Sequence, residues 1–409
     1  MPEQWQQVSF FTFILNTIIF RKEQVAERQR NNSSPPHCTM TSKPAIQSTL
    51  QRYQTEILTA LRRSIERAKD AAIHPGAGDP TPFYGQMQYH LGWVDTNFSP
   101  VAGNAGKLWR PTLLLLAYEA AGAVHNAHYL RRALPAAAAV EFTHNFTLIH
   151  DDIEDGDAER RHRPTLWNIW GIPQSINTGD GMFALARLTL WEVIEEGVEP
   201  AIAIRLGAVL DRACLVLVEG QHLDISFETR EDISVAMYVD MISRKTAALM
   251  GCAAEMGALL STRDQETIDR LRSFGYAMGI AFQVRDDILG IWASTEELGK
   301  TPAGDIYHRK KSLPVLHALE HASAPDQQFL RQAYSQKVPV TSAQVEEALA
   351  IFGRTHTKAY CRSYLAEHCR LAHESLANVP HLSNPVAARA LDDMETLVHF
   401  VENTAREMS

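Results

Sequence analysis

EFTHNFTLIHDDIEDGDAERR, Glu141 to Arg161, decides how the rest of the chain is read. It opens as an apolar helix with Phe142, Phe146, Leu148 and Ile149, then presents Asp151, Asp152 and Asp155 with almost no polar lead-in. Residues four apart share a helix face, so Asp151 and Asp155 point the same way with Asp152 beside them. Three crowded carboxylates repel one another and call for a positive partner. Mg²⁺ suits such a place, because it takes oxygen ligands and binds through one or two carboxylates plus substrate phosphates. Arg160 and Arg161 come directly after, and guanidinium matches phosphate geometry. The pattern implies a metal-bridged diphosphate site. A solvated acidic helix end with a basic loop would look similar, but the turns ahead of it are too apolar for an exposed face.

A second acidic pair lies in FQVRDDILG, Phe282 to Gly290. Gln283, Asp286 and Asp287 stand at i, i+3 and i+4, on one face of a helix expected over Glu266–Ile291. Its apolar positions Ile268, Leu271, Gly275, Met278 and Phe282 keep helical spacing, and Thr262-x-x-Gln265 reads as a capping box at its start. Two apolar helices, each carrying an Asp-Asp pair, could face each other across one cavity and hold several Mg²⁺ ions.

Further helices are expected over Ile46–Ala72, Leu134–Asp152, Ser175–Glu196, Ala201–Leu223 and Glu231–Leu260, and after Pro111, which suits a first helical turn. Alternating strand runs are few. The fold class expected is therefore all-α, as a single unit over 45–409. Residues 1–44 differ. Val8–Phe20 is apolar but too short to span a bilayer comfortably, and its charges, Arg21 and Lys22, come after it where a secretory signal has them in front. A polar, Pro-containing linker comes next. An upstream extension, disordered, fits this better than a membrane anchor. The chain has 409 residues, 45% of them hydrophobic, ample for one large core. Its net charge of −9 argues against nucleic acid as a partner. Five scattered cysteines without a CxxC point to a reducing, cytoplasmic setting.

Cations stand where a diphosphate site would need them. Gly106, Lys107 and Arg110 precede the Pro111 helix, whose N-terminus is a ready anion site. Lys245-Thr246 is a polar break in the apolar run MISRKTAALMG, and Lys300 and Lys310 lie beyond the second acidic pair. Gln221 and Asp224 share a helix face, which suits either the surround of a metal site or an ordinary polar face.

Asp151-Asp152-Ile153-Glu154-Asp155, four residues, then Arg160-Arg161 is the DDxxD-x4-RR pattern. From about Ala45 to the C-terminus the chain resembles the trans-isoprenyl diphosphate synthases, or polyprenyl synthetases. The resemblance implies a helical bundle around a deep central cavity, a homodimer, and three Mg²⁺ ions. It implies isopentenyl diphosphate contacts at Gly106, Lys107, Arg110, His144 and Arg161. Allylic diphosphate contacts fall on Arg160, Lys245, Thr246, Gln283, Lys300 and Lys310. The implied metal ligands are Asp151, Asp155 and Asp286, with Asp152 and Asp287 in support. Phe146 lies five residues before Asp151, roughly 7.5 Å along the helix. In the family a bulky side chain there blocks longer chains, which implies a C20 product first and C15 next. Two departures stand out: Gly290 replaces the last Asp of the second DDxxD, and GKLWRP has one cation fewer than the family's GKRLRP.

A terpene cyclase of the same fold would not need Lys107, Arg110, His144 and Arg161, since it holds no second diphosphate. A non-catalytic partner subunit would have eroded acidic runs. The Glu141-x-x-His144 and Glu219-x-x-His222 spacings occur in di-iron bundles, but the arginines beside the aspartates suit an anion better than iron.

Overall fold

The computed structural model of the chain describes residues 42–72, 78–101, 106–123, 128–293, 303–336 and 338–406. The apolar run at 8–20, nearly all of the extension and Lys300 lie outside the described residues.

The described chain is helical almost throughout. In order come α1 (Ser42–Arg52), α2 (Gln54–Ala72), α3 (Thr81–His90), α4 (Trp109–Ala120) and α5 (Leu134–Glu154). A minimal hairpin of β1 (Glu159–Arg160) and β2 (Arg163–Pro164) is next, pairing Glu159 with Pro164. Then come α6 (Leu166–Trp170), α7 (Ile172–Trp191), α8 (Pro200–Glu228) and α9 (Val235–Ile242). A π-helical turn (Ser243–Ala247) leads into α10 (Ala248–Ser261), and α11 (Gln265–Trp292) closes the core. The last elements are α12 (Gly304–Tyr307), α13 (Leu313–His321), α14 (Ala324–Ser335), α15 (Ser342–Arg354), α16 (Thr357–Ala377) and α17 (Pro385–Arg406).

The all-α expectation holds, and the core explains it. Helix α4 has Pro111 in its first turn and is buried from Pro111 to Ala120. Helix α5 is buried from Pro135 to Thr143, so both are sealed inside the bundle. Helix α10 is rich in small buried residues (Gly251, Ala253, Ala254, Gly257, Ala258) and packs closely on α4, α8 and α11. A satellite core of Ile306, Val315, Leu330, Val345, Ile351 and Phe352 sits under α12–α15. The buried Glu119 of α4 is satisfied from three sides: Tyr53 OH donates to it at 2.8 Å, Tyr129 OH at 2.5 Å and Arg389 Nη2 at 2.9 Å. That carboxylate ties the N-terminal and C-terminal helices to the core, and removing one donor would leave a buried charge underpaired.

Two boundaries differ from the sequence expectation. Helix α11 is capped by Asp264, not Thr262: Asp264 Oδ2 accepts from the Thr267 N–H at 2.9 Å. Aspartate two residues on offers a charged acceptor to the helix's free N–H groups, so it wins over the threonine. The helix expected over Glu231–Leu260 starts later, at Val235, with the Ser234 hydroxyl as its cap, and the π turn divides it at the polar break. A π turn carries one extra residue per turn and bulges outward. Here the bulge presses on Gly220 of α8: a Cβ at Gly220 would lie 2.7 Å from Lys245 Cα and 2.8 Å from the Arg244 carbonyl carbon. Only glycine permits that approach, and it brings Lys245 into the middle of the bundle.

Gly220→Ala is therefore expected to cost about 1–3 kcal/mol through overpacking. Gly353→Ala, where nothing lies within 4 Å of the added atom, should leave stability unchanged or raise it by up to about 1 kcal/mol. Thermal melts of the two variants side by side check this.

Candidate active site

Two helices deliver the acidic groups. Helix α5 carries Asp151 and Asp152 in its last turn, and Asp155 closes it, with the Asp155 N–H bonded to Asp151 O at 2.8 Å. Helix α11 carries Asp286 and Asp287. The π turn reaches both. Lys245 Nζ lies 3.2 Å from Asp151 Oδ1 and 2.6 Å from Asp224 Oδ2 on α8. The next residue, Thr246, donates its hydroxyl to Gln283 Oε1 at 3.1 Å, and Gln283 Nε2 donates to Asp287 Oδ1 at 3.1 Å. One polar break thus spans from the first acidic run to the second. Arg160 binds Asp152, Nε to Oδ1 at 2.5 Å, and stands 4.0 Å from Asp151.

The two acids of the second pair differ in setting. Asp287 is fully buried and well satisfied, accepting from Tyr238 OH at 2.5 Å and the Leu313 N–H at 3.3 Å, with Lys310 Nζ at 3.6 Å. Asp286 is 61% exposed, with Arg285 at 3.1 Å, yet burial pushes its pKa up.

Charge is unbalanced here. Burial pushes Asp155 up to about 7, helped by Asp151 and opposed by Lys245. Burial pushes Asp152 up to about 6 against the pull of Arg160. Carboxylates that resist ionisation in this way lack enough positive charge around them. The nearby Asp305 adds another, and its Oδ2 is buried without a hydrogen-bond partner among the described residues. A crowded all-oxygen donor set with unmet negative charge fits a hard divalent cation. Asp155 makes no side-chain hydrogen bond or ion pair among the described residues, Asp151 and Asp286 each have a cation at just over 3 Å, and Asp287 is the most fully engaged.

A separate cation group gathers at the start of α4. Gly106 has φ +85°, and a Cβ there would lie 2.9 Å from Arg161 Nη2, so the Arg161 guanidinium rests against the Gly106-Lys107 turn. Arg110 and Arg161 both act on the buried Glu141, which also accepts from Asn145 Nδ2 at 2.8 Å. Arg110 Nε is buried with no hydrogen-bond partner among the described residues. Burial, with Arg110 and Arg161 adding to it, holds His144 well below the usual imidazole range, and burial, with Arg161 and Arg160 adding to it, brings His90 down to about 3. Both rings are neutral. Exposed Lys107 stands near enough to stabilise the Asp286 carboxylate. Leu108, where the family pattern has a cation, is only 4% exposed and packs in the core.

Between these groups lies a hollow of about 760 Å³, counting its open mouth. Its lining mixes polar residues, Arg110, His144, Thr147, His150, Asp151, Glu154, Gln221, Lys245 and Thr246, with the apolar Phe146, Leu148, Leu217 and Val218. The Phe146 ring packs edge-on against Phe183 at 5.2 Å.

The structure thus gathers the acidic residues, Arg160, Lys245, Thr246, Gln283 and Lys310 in one place, and Lys107, Arg110, His144 and Arg161 in another beside it. Sequence reasoning missed His90, Tyr238, Glu141 as the partner of the two arginines, and Asp305. None carries a local signal, because each is brought in by folding from a separate element. The Gln221–Asp224 question resolves unevenly: Asp224 grips Lys245, while Gln221 Nε2 donates to Glu154 at 2.8 Å. Neither ExxH pair is gathered for iron, since Glu219 binds Arg244 at 2.7 Å and Glu141 faces arginines.

Carboxylates with raised pKa keep protons in the folded chain that the unfolded chain has already lost. Without divalent cation, Asp155 and Asp152 are expected to make stability rise as pH falls from about 8 towards about 6.5; below that the gain is opposed, because unfolding frees His90 and His144 to take up protons. Asp155→Asn should flatten that slope. Melting temperatures across this range in chelator check both expectations.

The chain is similar to proteins of one family. The polyprenyl synthetase family model matches residues 92–352. The geranylgeranyl diphosphate synthase of Mycobacterium tuberculosis is 37% identical over 302 residues, 74% of this chain and 80% of that one. The (2E,6E)-farnesyl diphosphate synthase of Mycobacterium bovis is 41% identical over 238 residues, 58% of this chain and 64% of that one. The crystal structure of a polyprenyl synthetase from Streptomyces coelicolor A3(2) superposes with a TM-score of 0.76 at 32% identity, covering 87% of this chain and 99% of that one. A polyprenyl synthase from Caulobacter crescentus CB15, solved with calcium and isoprenyl diphosphate, gives a TM-score of 0.66 at 28% identity over 90% of this chain and 99% of that one. The chain belongs to the polyprenyl synthetase family and is a prenyl-transferring enzyme.

Proposed function

We propose that the enzyme condenses isopentenyl diphosphate with an allylic diphosphate, head to tail and trans, and that its product is geranylgeranyl diphosphate, with farnesyl diphosphate the next candidate. The observation that carries this reading is the pair of separate cation groups flanking one acidic hollow. Two diphosphates need two such groups. A cyclase of the same fold would need one, and Arg110, Arg161 and His144 would have no anion to meet.

In this reading Lys107, Arg110, His144 and Arg161 bind isopentenyl diphosphate. Arg110 Nε, buried and unpaired, gains the partner it lacks. The neutral His144 donates a hydrogen bond to the diphosphate without adding repulsion to the two arginines. Arg160, Lys245, Thr246, Gln283, Lys310 and Lys300 receive the allylic diphosphate, with Lys245 already fixed by Asp151 and Asp224. Asp151, Asp155 and Asp286 would hold Mg²⁺, three ions in all, which supply Lewis-acid withdrawal of charge from the departing diphosphate. The calcium-bound relative supports divalent metal use. The chain's own donors are preorganised around the leaving group and stabilise it as the C–O bond breaks. The apolar side chains in the hollow, Phe146, Leu148 and Leu217, keep water from the allylic cation. Holding the isopentenyl double bond against that cation supplies much of the rate. The released diphosphate takes the final proton, so no side-chain base is needed.

Phe146, in the hollow's lining beside Phe183, sets the floor for the growing chain. With Mg²⁺, labelled isopentenyl diphosphate and each allylic primer, the native protein is expected to give C20 products, while Phe146→Ala extends them. Asp151→Ala should lower turnover by about 100-fold or more. Release of hydrocarbon without any elongated diphosphate would instead establish the cyclase.

A homodimer is part of the proposal. Large exposed apolar side chains concentrate on α7 and α8, among them Ile176, Phe183, Leu188, Ile204, Leu215 and Val218. A patch of that extent suits a second copy of the same chain. No described helix is long and apolar enough to cross a membrane. The four described cysteines are free and buried, in keeping with the cytoplasm. Sedimentation should give a dimer mass for the native chain and a monomer for Leu215→Glu.

A further inference from the structure

Gly290 occupies the last place of the second acidic run, where the family pattern has an aspartate. The reason for the glycine is visible across the gap to α12. A Cβ at Gly290 would lie 2.5 Å from Cγ and Oδ2 of Asp305 and 2.6 Å from its Oδ1. The carboxylate of Asp305 thus fills the space that a side chain at 290 would need. The two positions cannot both be occupied without one of them moving.

Asp305 is not simply parked there. Its Oδ2 is buried and accepts no hydrogen bond among the described residues. Among the described residues its ion-pair partner is Lys310 Nζ at 4.0 Å, and that ammonium is shared with Asp287 Oδ1 at 3.6 Å. Burial raises the cost of ionising it, opposed by Lys310 and reinforced by Asp287 and Asp286. A buried carboxylate oxygen left unsatisfied is costly to the folded chain. Its position among the other acids indicates that a cation binding there would satisfy it.

We infer that Asp305 supplies the carboxylate that the second acidic run lacks, reaching in from α12 through the room left by Gly290, and helps to hold divalent cation over the allylic diphosphate. This rests on the prenyl-transfer reading above. The acidic run is therefore discontinuous in sequence but complete in space.

The test is binding of Mn²⁺ in the presence of inorganic diphosphate, read from the electron paramagnetic resonance of free Mn²⁺, alongside the Mg²⁺ concentration giving half-maximal turnover. Asp305→Asn keeps the shape and removes the charge; Mn²⁺ binding should weaken by about 10–100-fold and the Mg²⁺ requirement rise to match. Gly290→Asp alone should also weaken binding, because two carboxylates then compete for one space. The double variant Gly290→Asp/Asp305→Gly moves the carboxylate back into the run and should bind at least about tenfold tighter than Asp305→Gly alone. Native-like Mn²⁺ binding by Asp305→Asn overturns the inference. So does a change confined to the allylic KM, which would make Asp305 a mere holder of Lys310. Asp151→Ala in the same titration separates the two levels. If it loses Mn²⁺ while Asp305→Asn does not, only this inference falls; if neither loses Mn²⁺, the parent reading falls too.

Discussion

The ammonium of Lys245, held between Asp151 on α5 and Asp224 on α8, is the contact on which the architecture turns. Without it, two helices would present carboxylates to each other across an apolar interior. Repulsion at short range in a poorly screened setting would push them apart. With it, the hollow keeps a negative wall that is strong but not self-destructive. The shortfall of positive charge that remains is modest enough to fold around and large enough to attract metal and diphosphate. Glu119 solves the opposite problem at the other end of α4. There three donors converge on one charge and leave nothing to bind.

This contrast separates support from function inside one core. Asp287 and Glu119 are carboxylates whose demands the protein meets in full. Asp155, Asp286 and Asp305 are carboxylates whose demands it leaves partly unmet. Incomplete satisfaction is costly in a folded chain, and natural cores tolerate it at sites that do chemistry. The cation group is organised by the same rule. Arg110 and Arg161 share a single buried Glu141, so together they retain capacity for an anion, and the imidazoles of His144 and His90 stay neutral so as not to compete for it.

Much of this was legible in the sequence because the decisive residues are neighbours along the chain. DDIED and the arginines after it sit within one helix end and loop, and FQVRDD within one helical turn and a half. Their helical spacing and their apolar setting are local facts. The all-α class was legible for the same reason, from the lack of alternating runs. What stayed hidden depends on contacts between distant segments. Tyr238 meets Asp287, and Asp305 meets Gly290, only after several helices have packed. Glu141 looked like half of a metal-binding ExxH pair until Arg110 and Arg161 were seen around it. The Thr262 cap failed for a smaller reason: two candidate acceptors lay two residues apart, and the ionised one is the better partner for helix N–H groups. The missing cation of GKLWRP weighed little because Leu108 joins the core.

The π turn at Ser243–Ala247 carries a further consequence, for how this sequence can drift. Its bulge is one surplus residue in an otherwise regular helical run. Losing a single residue there would let the run close up as a regular α-helix and draw in the bulge that carries Lys245 and Thr246. Lys245 and Thr246 could then no longer reach in opposite directions towards α5 and α11. The segment should therefore admit exchanges of side chain at several positions while rejecting changes of length, a constraint on reading-frame-preserving deletions that residue-by-residue substitution would never reveal.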